Sequence, residues 1–406
     1  MSADEAARLV PDRAVVAISS SSGLNTPDRV LRAIGDRFAQ DGRPRDLTTL
    51  HPIGSGDLYG IPGIDHLARP GLLERVIAGS YPSGPSSLPM PAIWRLILDD
   101  AIEAYNLPSG LIFDMLRNAA AGGAGVLTKV GLDTFVDPRR GGGKMNRAAK
   151  EDIVRLVELD GEAWLHLRPI APDVAIIRGT TADARGNVSM TEEAAPLGAL
   201  DLALAARNAG GLVIAQVKRL EPAGALPTRE VHVPCSLVDV VVVDPDQMQA
   251  TETRYDPALS GEVRVDLDAL EAEPFGIEKV IARRAAMALR AGDVAALGFG
   301  VSALVPRILI EEGRHGQVTW TIEQGAVGGV PVTGFAFGCA LNADAIIPSP
   351  QQFTFFQGAG FDCAFLSFLQ IDRHGNVNVS KLAKRPYLTA GVGGFIDITA
   401  RGRKLV

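Results

Sequence analysis

The sequence predicts an α/β protein made of two related open-sheet domains that face a central cleft. Short runs rich in Val, Ile and Ala alternate along the chain with amphipathic helical patterns. These runs lack polar alternation, which indicates strands that are buried on both faces of a helix-covered sheet. The two parts of the chain also repeat one another, which predicts two copies of one α/β unit.

Strands and helices are predicted to alternate in both parts of the chain. In the first part, the pattern predicts strands at 14–18, 174–177, 212–217 and 240–243, and helices at 27–38 and 196–208. In the second part, it predicts a helix over 277–291 that Gly292 ends, strands at 294–297 and 317–322, a helical stretch over 304–312 and a strand at 396–398.

A change in composition separates the two parts. From residue 244 to residue 275 acidic and small residues dominate, as in 267–274 (LDALEAEP). A chain of 406 residues is also long enough for two or three domains. We therefore predict an N-terminal domain over 1–248, a linker over 249–275 and a C-terminal domain over 276–406.

Two pairs of motifs carry the internal repeat. Residues 172–177 (PDVAII) lead to 183–188 (DARGNV), and residues 361–366 (FDCAFL) lead to 372–377 (DRHGNV) at the same offset. The shared Asp-x-x-Gly-Asn pattern predicts a turn between two strands. The strand before 19–23 likewise parallels the strand before 298–302. Two related domains that face one another would place a site between them.

Composition and charge exclude several classes of function. The net charge of −7 argues against a nucleic-acid partner. The acidic start lacks an apolar signal core and the apolar runs are too short to span a bilayer, so we expect no membrane association. Three cysteines without metal-ligand spacing favour a reducing, cytoplasmic location. Six scattered histidines and the absence of G-x-S-x-G argue against metal catalysis and serine hydrolysis.

The most informative stretch is 321–331 (TIEQGAVGGVP), in which a predicted strand delivers Glu323 into a turn with three glycines. Strand ends in α/β sheets display reactive groups, and glycines let backbone N–H groups approach a ligand. No histidine or second carboxylate directly flanks Glu323. A carboxylate nucleophile needs no such base, because Glu is ionised near pH 7. A solvated turn residue is the alternative.

A second glycine turn follows the strand at 294–297. Residues 298–303 (GFGVSA) match G-x-G-x-x-A after a strand and before a helix, which is typical of a dinucleotide-binding turn. Glu323 would then contact the ribose of a nicotinamide cofactor. This alternative, a nicotinamide-dependent oxidoreductase, explains neither the glycines after Glu323 nor the duplicated halves.

Two further glycine-rich segments are candidate binding elements. Residues 391–395 (GVGGF) offer backbone N–H donors for an anion or an oxyanion, or else form a flexible connector. Residues 141–144 (GGGK) lack the spacing of a phosphate-binding loop, and we interpret them as a mobile loop.

Taken together, these residues resemble family I CoA-transferases, above all the fused single-chain acetate/propionate and acyl-CoA:3-ketoacid type. The resemblance covers nearly the whole chain, from about residue 2 to residue 406. Its motifs are, in order, 103–110 (EAYNLPSG), 130–139 (VGLDTFVDPR), 170–175 (IAPDVA), 237–247 (LVDVVVVDPDQ), 323–329 (EQGAVGG), 374–379 (HGNVNV) and 393–398 (GGFIDI).

The resemblance implies a fold of the CoA-transferase (NagB/RpiA-like) type and gives the glycine-rich turns a role. It implies that Glu323 is the catalytic nucleophile, which becomes a glutamyl-CoA thioester. It further implies contacts to CoA or to the thioester oxygen from a set of glycine-turn residues and one asparagine: Gly298, Phe299, Gly300, Val301, Ser302, Asn376, Gly391, Gly393, Gly394 and Phe395. Where the family often has Ser, Thr or Asn after the nucleophile, this chain has Gln324.

The resemblance also implies the substrates and the assembly. They are an acyl-CoA and a short-chain carboxylate such as acetate, propionate or a 3-keto acid, with coenzyme A as a substrate and no permanently bound cofactor or metal. We expect a homo-oligomer. Family chains continue past the position of Val406, so we expect a truncated C-terminal domain in which 405–406 begin a strand, by analogy with 237–243.

Overall fold

The computed structural model describes residues 1–57, 59–83, 89–380, 382 and 391–406. Two open sheets, each with a core of parallel strands and flanking helices, form its framework. This architecture confirms the predicted α/β class. Within the described ranges, none of the helices has the length and apolar content that crossing a membrane requires.

The first part of the chain forms the larger sheet. Its helices and strands are, in chain order, α1 (Ala3–Arg8), β1 (Val15–Ile18), α2 (Asp28–Asp41), β2 (Leu47–His51), β3 (Leu73–Ala78), α3 (Ala92–Leu98), β4 (Glu103–Asn106), α4 (Ser109–Ala120), β5 (Val126–Thr128), β6 (Val154–Leu159), β7 (Glu162–Leu167), β8 (Val174–Asp183), β9 (Val188–Ser189), α5 (Ala199–Asn208), β10 (Leu212–Glu221), β11 (Val231–Val233) and β12 (Val240–Val243). Parallel strands lie in the order β12-β10-β8-β1-β2-β3-β4. The strand order reverses between β8 and β1, so the loop after β1 lies at a topological switch point.

The second part of the chain forms the smaller sheet. Its helices and strands are α6 (Ile277–Ala286), β13 (Val294–Leu297), α7 (Val305–Glu311), β14 (Thr319–Thr321), β15 (Ala326–Val327), β16 (Val330–Pro331), β17 (Ala340–Leu341), β18 (Ala345–Ile346), α8 (Ser349–Gln357), β19 (Cys363–Phe365), β20 (Gln370–Ile371), β21 (Val377–Asn378) and α9 (Phe395–Thr399). The sheet order is β18-β15-β14-β13-β19, and β13 is parallel to both of its neighbours. The order therefore reverses at β13, as it does at β1 in the larger sheet.

The internal repeat is confirmed in the hydrogen bonds at the start of each unit. The carboxylate of Asp173, just before β8, accepts the N–H of Val15 at 2.8 Å. The carboxylate of Asp362, just before β19, accepts the N–H of Val294 at 2.9 Å. In each half, an aspartate at the equivalent position thus fixes the register of two neighbouring parallel strands.

The Asp-x-x-Gly-Asn turns also match. Asp183 accepts at Oδ1 the N–H groups of the residues two and four positions later, and at Oδ2 the side-chain amide of Asn187. Asp372 makes the same three hydrogen bonds, with Asn376 in place of Asn187. Burial would raise the pKa of Asp183, but these donors and the Gly224 N–H outweigh it and lower the pKa to about 2. The first turn is buried at Asp183, whereas the second is exposed.

Two predicted elements of the second part are wrong in type or length. Residues 396–398 form the helix α9 and not a strand. The two isoleucines favour a strand locally, but packing of α9 against α4 and α8 overrides that preference. The helix α6 ends at Ala286 and not at residue 291, because Ala288 and Leu289 donate to carbonyls only three residues back and tighten the chain into a turn.

The last residues lie in strand geometry beside β19. The N–H groups of Ala364 and Leu366 donate to the carbonyls of Lys404 and Val406, at 2.9 and 3.1 Å. The expected strand character of 405–406 is therefore confirmed. The analogy with 237–243 is wrong, since this segment pairs with β19 as β10 pairs with β8.

The two halves share part of their hydrophobic core. The Phe113 ring of α4 lies 5.8 Å from the Phe353 ring of α8, centroid to centroid. Phe356, Ala364 and Ile396 of the second half belong to the same buried cluster as the α4 side chains. Helices α8 and α9 of the second half thus pack directly on α4 of the first.

A buried ion pair in the first half gives a stability prediction. Arg178 of β8 and Glu193 are 2 % and 4 % exposed and join at 2.9 Å. Glu193→Ala leaves the guanidinium buried without its counter-charge, so we expect the free energy of unfolding to fall by roughly 3–5 kcal/mol. Urea denaturation followed by tryptophan fluorescence measures this change.

The matched control is Asp246→Ala. It breaks the pair between Arg254 and Asp246, whose side chains are 66 % and 76 % exposed. Exposed pairs contribute at most about 1 kcal/mol. Equal losses in the two variants would contradict the prediction.

Candidate active site

Glu323 stands in a tight turn at the carboxyl end of β14. The N–H of Gly325 donates to the carbonyl of Ile322 at 2.9 Å, and the chain then returns as β15. Gly325 has φ +123°, and a Cβ there would lie 1.8 Å from the carbonyl oxygen of Ile347. Only glycine fits this position, so the tight turn that follows Glu323 depends on Gly325.

The turn at 298–302 follows β13, the strand that pairs with β14. Strands β13 and β14 pair Ala296 with Thr321, so Gly298 and Glu323 each stand two residues beyond this pair, at the same end of the sheet. Ser302 closes the turn, because its hydroxyl donates to the carbonyl of Gly298 at 2.9 Å. Phe299 is 66 % exposed, and its ring lies edge-on to a neighbouring phenylalanine.

The segment at 391–395 supplies a direct contact to Glu323. The Gly394 N–H donates to Glu323 Oε2 at 3.0 Å. A Cβ on Gly394 would lie 2.4 Å from that same oxygen, so a side chain here would displace the carboxyl group. One hydrogen bond thus joins the segment at 391–395 to the turn that carries Glu323.

The first half of the chain holds this segment in place. Gly393 donates its N–H to the carbonyl of Gly79 at 2.8 Å and accepts the N–H of Ser109 at 2.9 Å. The Asn106 side chain accepts the N–H of Val392 at 3.0 Å. Val392 and Gly393 of the second half therefore dock onto the residues at the carboxyl ends of β3 and β4.

Gln324 forms a second link between the halves. Its side-chain amide donates to the Ser21 hydroxyl at 3.0 Å and lies 3.4 Å from Glu323 Oε1. Ser21 belongs to the loop after β1, at the switch point of the larger sheet. The switch-point loop of one sheet and the turn that carries Glu323 in the other therefore meet at Gln324.

Two carboxyl groups in this region have raised pKa values. Burial raises the pKa of Glu323 to about 7, against the opposing effect of the Gly394 and Gln324 donors. Burial also raises the pKa of Asp397 to about 8, with Asp114 and Glu323 adding repulsion. Because the folded-state pKa of Glu323 exceeds its unfolded value of 4.5, its contribution to stability falls as the pH rises from about 4.5 to 7.

Of the predicted site residues, Asn376 makes its hydrogen bonds away from Glu323. Among the described residues, the hydrogen bonds of Asn376 join it to Asp372 within its own exposed turn. Gly391 packs against the Asn106 side chain, and Phe395 begins α9. The structure thus joins Glu323 directly to Gly394, and places the 298–302 turn at the same end of the sheet.

Sequence reasoning missed Ser21, Asn106 and Asp397. The signal for Asp397 was present in the motif 393–398, where a lone acid stands between two isoleucines. Ser21 lies in the loop after β1, and Asn106 is the last residue of β4, so both stand at the carboxyl end of a parallel strand, where α/β sheets display functional residues. Their partners lie more than 280 residues away in sequence, so no local pattern could pair them.

Comparison with known proteins places these features in a family. A family model described as Coenzyme A transferase matches residues 1–244. The acetate CoA-transferase YdiF of Escherichia coli (strain K12) is 38 % identical over 411 aligned residues, covering 100 % of this chain and 75 % of that protein. The chain belongs to the coenzyme A transferase family.

Further relatives support the same assignment. The caffeate CoA-transferase of Acetobacterium woodii is 39 % identical over 412 aligned residues, covering 100 % of this chain and 77 % of that protein. The crystal structure of YdiF from E. coli O157:H7 as a thioester complex with CoA superimposes with a TM-score of 0.90 at 37 % identity, covering 100 % of this chain and 79 % of that one. The chain is therefore a CoA-transferase, with coenzyme A as its substrate. Neither these relatives nor their structures support the nicotinamide-dependent alternative for the 298–303 turn.

The raised pKa of Glu323 gives a prediction for the pH dependence of CoA transfer. With a pKa of about 7, only about a tenth of the side chains are ionised at pH 6. We expect kcat/KM for the acyl-CoA to fall about tenfold per pH unit below this midpoint and to level off above about pH 8.

The variant Gln324→Leu removes a donor that lowers this pKa, so its midpoint should move upward. Gln317→Leu, at an exposed position of the same half, is the control and should leave the midpoint in place. A flat wild-type profile between pH 5.5 and 8 would contradict the assignment of Glu323 as the ionising nucleophile.

Proposed function

We propose that this CoA-transferase moves coenzyme A from a short-chain acyl-CoA to a short-chain carboxylate through a thioester on Glu323. The observation that carries the proposal is the 3.0 Å hydrogen bond from the Gly394 N–H to the Glu323 carboxyl. It combines an ionisable nucleophile with a backbone donor aimed at the atom on which negative charge develops. The thioester complex with CoA named for the YdiF structure supports the covalent step.

The first half-reaction proceeds in two balanced steps. A Glu323 oxygen attacks the acyl carbonyl carbon, the C–S bond breaks, and CoA leaves as a thiolate with a mixed anhydride on Glu323. The thiolate then attacks the Glu323 carbonyl carbon and breaks the anhydride C–O bond. The original acid leaves as a carboxylate, and Glu323 is left as its CoA thioester. A second carboxylate reverses both steps, so no proton, ATP or redox partner enters the balance.

The Gly394 N–H acts at the tetrahedral stages. When the thiolate adds to Glu323, the carbonyl oxygen of that residue carries the negative charge. The donor already lies at hydrogen-bond distance from this oxygen, so no reorganisation is needed. One such donor contributes about 3–4 kcal/mol to the transition state. In this mechanism the site must limit the access of water, because water would hydrolyse the thioester.

The turn at 298–302 is our proposed contact for the CoA thiol arm. It stands at the same end of the sheet as Glu323, its backbone is uncovered at Gly300, and the Phe299 ring is exposed. We propose the same role for Asn376, through its exposed turn, and for Gly391, Gly393 and Phe395 through the segment that carries Gly394. Val301 and Ser302 shape the turn from within.

We propose a short acyl group such as acetyl, propionyl or a 3-keto acyl group. The name of one relative refers to acetate and supports this range. The name of another refers to caffeate and shows that acyl preference differs between proteins at similar identity.

We also propose that the protein is a cytoplasmic homo-oligomer with domains over 1–248 and 276–406. The three unpaired cysteines support the reducing location.

Covalent trapping tests the role of Glu323. Incubation with acetyl-CoA followed by borohydride reduction should modify the peptide that contains Glu323, as detected by mass spectrometry. Glu323→Ala should lose this modification and lower kcat by more than about 10⁴-fold, because no other group can carry the acyl transfer.

The control is Glu312→Gln, which alters an exposed carboxylate of the same half and should keep both the modification and the activity. Modification of an active enzyme at any residue other than Glu323 would refute the mechanism.

Steady-state kinetics test the two-step transfer. A single nucleophile that serves both half-reactions predicts parallel double-reciprocal lines when acyl-CoA and carboxylate are varied together. Labelled acetate should also exchange into acetyl-CoA when no second acid is present. Intersecting lines, or a requirement for NAD, ATP or a metal ion, would rule out the scheme.

A further inference from the structure

Asp397 is a buried carboxyl group for which the transfer chemistry has no use. It lies in α9 and is 0 % exposed. Its Oδ2 accepts the N–H of Gly110 at 3.0 Å, in the first turn of α4, and its Oδ1 accepts the side-chain amide of Gln357 at 3.0 Å, at the end of α8. One carboxyl group therefore joins three helices, of which α4 belongs to the first half of the chain.

The structure reserves space for this contact at Gly110. A Cβ on Gly110 would lie 2.5 Å from Asp397 Oδ1 and 2.8 Å from the Gln357 amide nitrogen. Glycine in the first turn of a helix lowers helix propensity by up to about 1 kcal/mol relative to alanine. The glycine is explained by the carboxyl group that packs against it.

The position of Asp397 links it to the nucleophile. Helix α9 begins immediately after Gly394, and Asp397 follows Gly394 by three residues, about one helical turn. The contacts of Val392 and Gly393 hold the segment before Gly394. Asp397 holds the helix after it. Together they fix the direction of the Gly394 N–H, which lies 3.0 Å from Glu323 Oε2.

We propose that Asp397 is a positioning residue: it braces α9 against α4 and α8 and so keeps the Gly394 N–H on the Glu323 oxygen that becomes the oxyanion. This inference rests on the proposed role of Glu323. Asp397 itself does not reach the reacting atoms, because it is fully buried and both of its oxygens are occupied by donors from the protein.

Three variants test the brace in a single-turnover assay of thioester formation with acetyl-CoA. Asp397→Ala should lower the maximal rate about 10²-fold, the loss typical of a misplaced oxyanion donor. The acetyl-CoA concentration at half-maximal rate should change less than about threefold, since the brace lies away from the CoA arm. Asp397→Asn retains the volume and one acceptor, and should keep the rate within about tenfold of wild type.

Gly110→Ala tests the same contact by changing the residue that Asp397 packs against. Its added methyl group displaces Asp397 and Gln357, so we expect a rate loss like that of Asp397→Ala even though alanine favours the helix. The matched control is Asp114→Asn. Asp114 shares the Gln357 amide and pairs with Arg117, but its hydrogen bonds do not reach α9, so the rate should stay within about twofold.

The possible outcomes distinguish three cases: failure of the proposed mechanism, failure of the positioning role of Asp397, and loss of folding in a variant. If wild-type enzyme forms no thioester on Glu323, the proposed function and this inference fall together. If wild type forms it and folded Asp397→Ala or Gly110→Ala retains the rate within about threefold, the inference alone is overturned. Circular dichroism and thermal melting establish folding. If Asp397→Ala fails to fold, Gly110→Ala decides. A folded Gly110→Ala that keeps the full rate overturns the inference. A folded Gly110→Ala that shows the expected rate loss, together with an active Asp397→Asn, supports it.

Discussion

The contact between the Gly394 N–H and the Glu323 carboxyl is the constraint on which the site depends. Its two partners stand on separate loops of the second half, yet the loop of Gly394 is held by Gly79, Asn106 and Ser109 of the first half. The turn that carries Glu323 is likewise tied to the first half, through the hydrogen bond from Gln324 to Ser21. The packing of the two halves therefore determines the distance between the Gly394 N–H and the Glu323 carboxyl, two groups that both belong to the second half.

This arrangement reconciles two demands on Glu323 that oppose each other. In the proposed mechanism, a site with little water slows hydrolysis of the thioester, but burial also disfavours the ionised carboxylate that would attack. The backbone donor and the Gln324 amide offset part of that penalty, and the resulting pKa of about 7 leaves a large ionised fraction near neutral pH. A carboxylate with more donors would ionise more readily, but it would also be a weaker nucleophile because its charge would be more fully stabilised.

Sequence patterns predicted the fold where local and global preferences agree. The strands at 174–177, 240–243 and 294–297 are predicted correctly because their apolar runs are typical of largely buried parallel strands. The Asp-x-x-Gly-Asn repeat was visible because turn chemistry is local. Residues 396–398 were assigned to the wrong type of element because docking against α4 outweighs the strand preference of isoleucine. Glu323 and Gly394 were both predicted as site residues, but their hydrogen bond spans 71 positions and is a property of the folded chain.

The docking of Val392 and Gly393 onto the first half has a consequence for the nascent chain. Before the two halves pack together, nothing holds the Gly394 N–H against the Glu323 carboxyl, since the contacts that fix this segment come from the first half. If Glu323 acts as we propose, a partly folded chain lacks the arrangement that favours attack on an acyl-CoA. Folding and activation of the carboxyl group are then one and the same event.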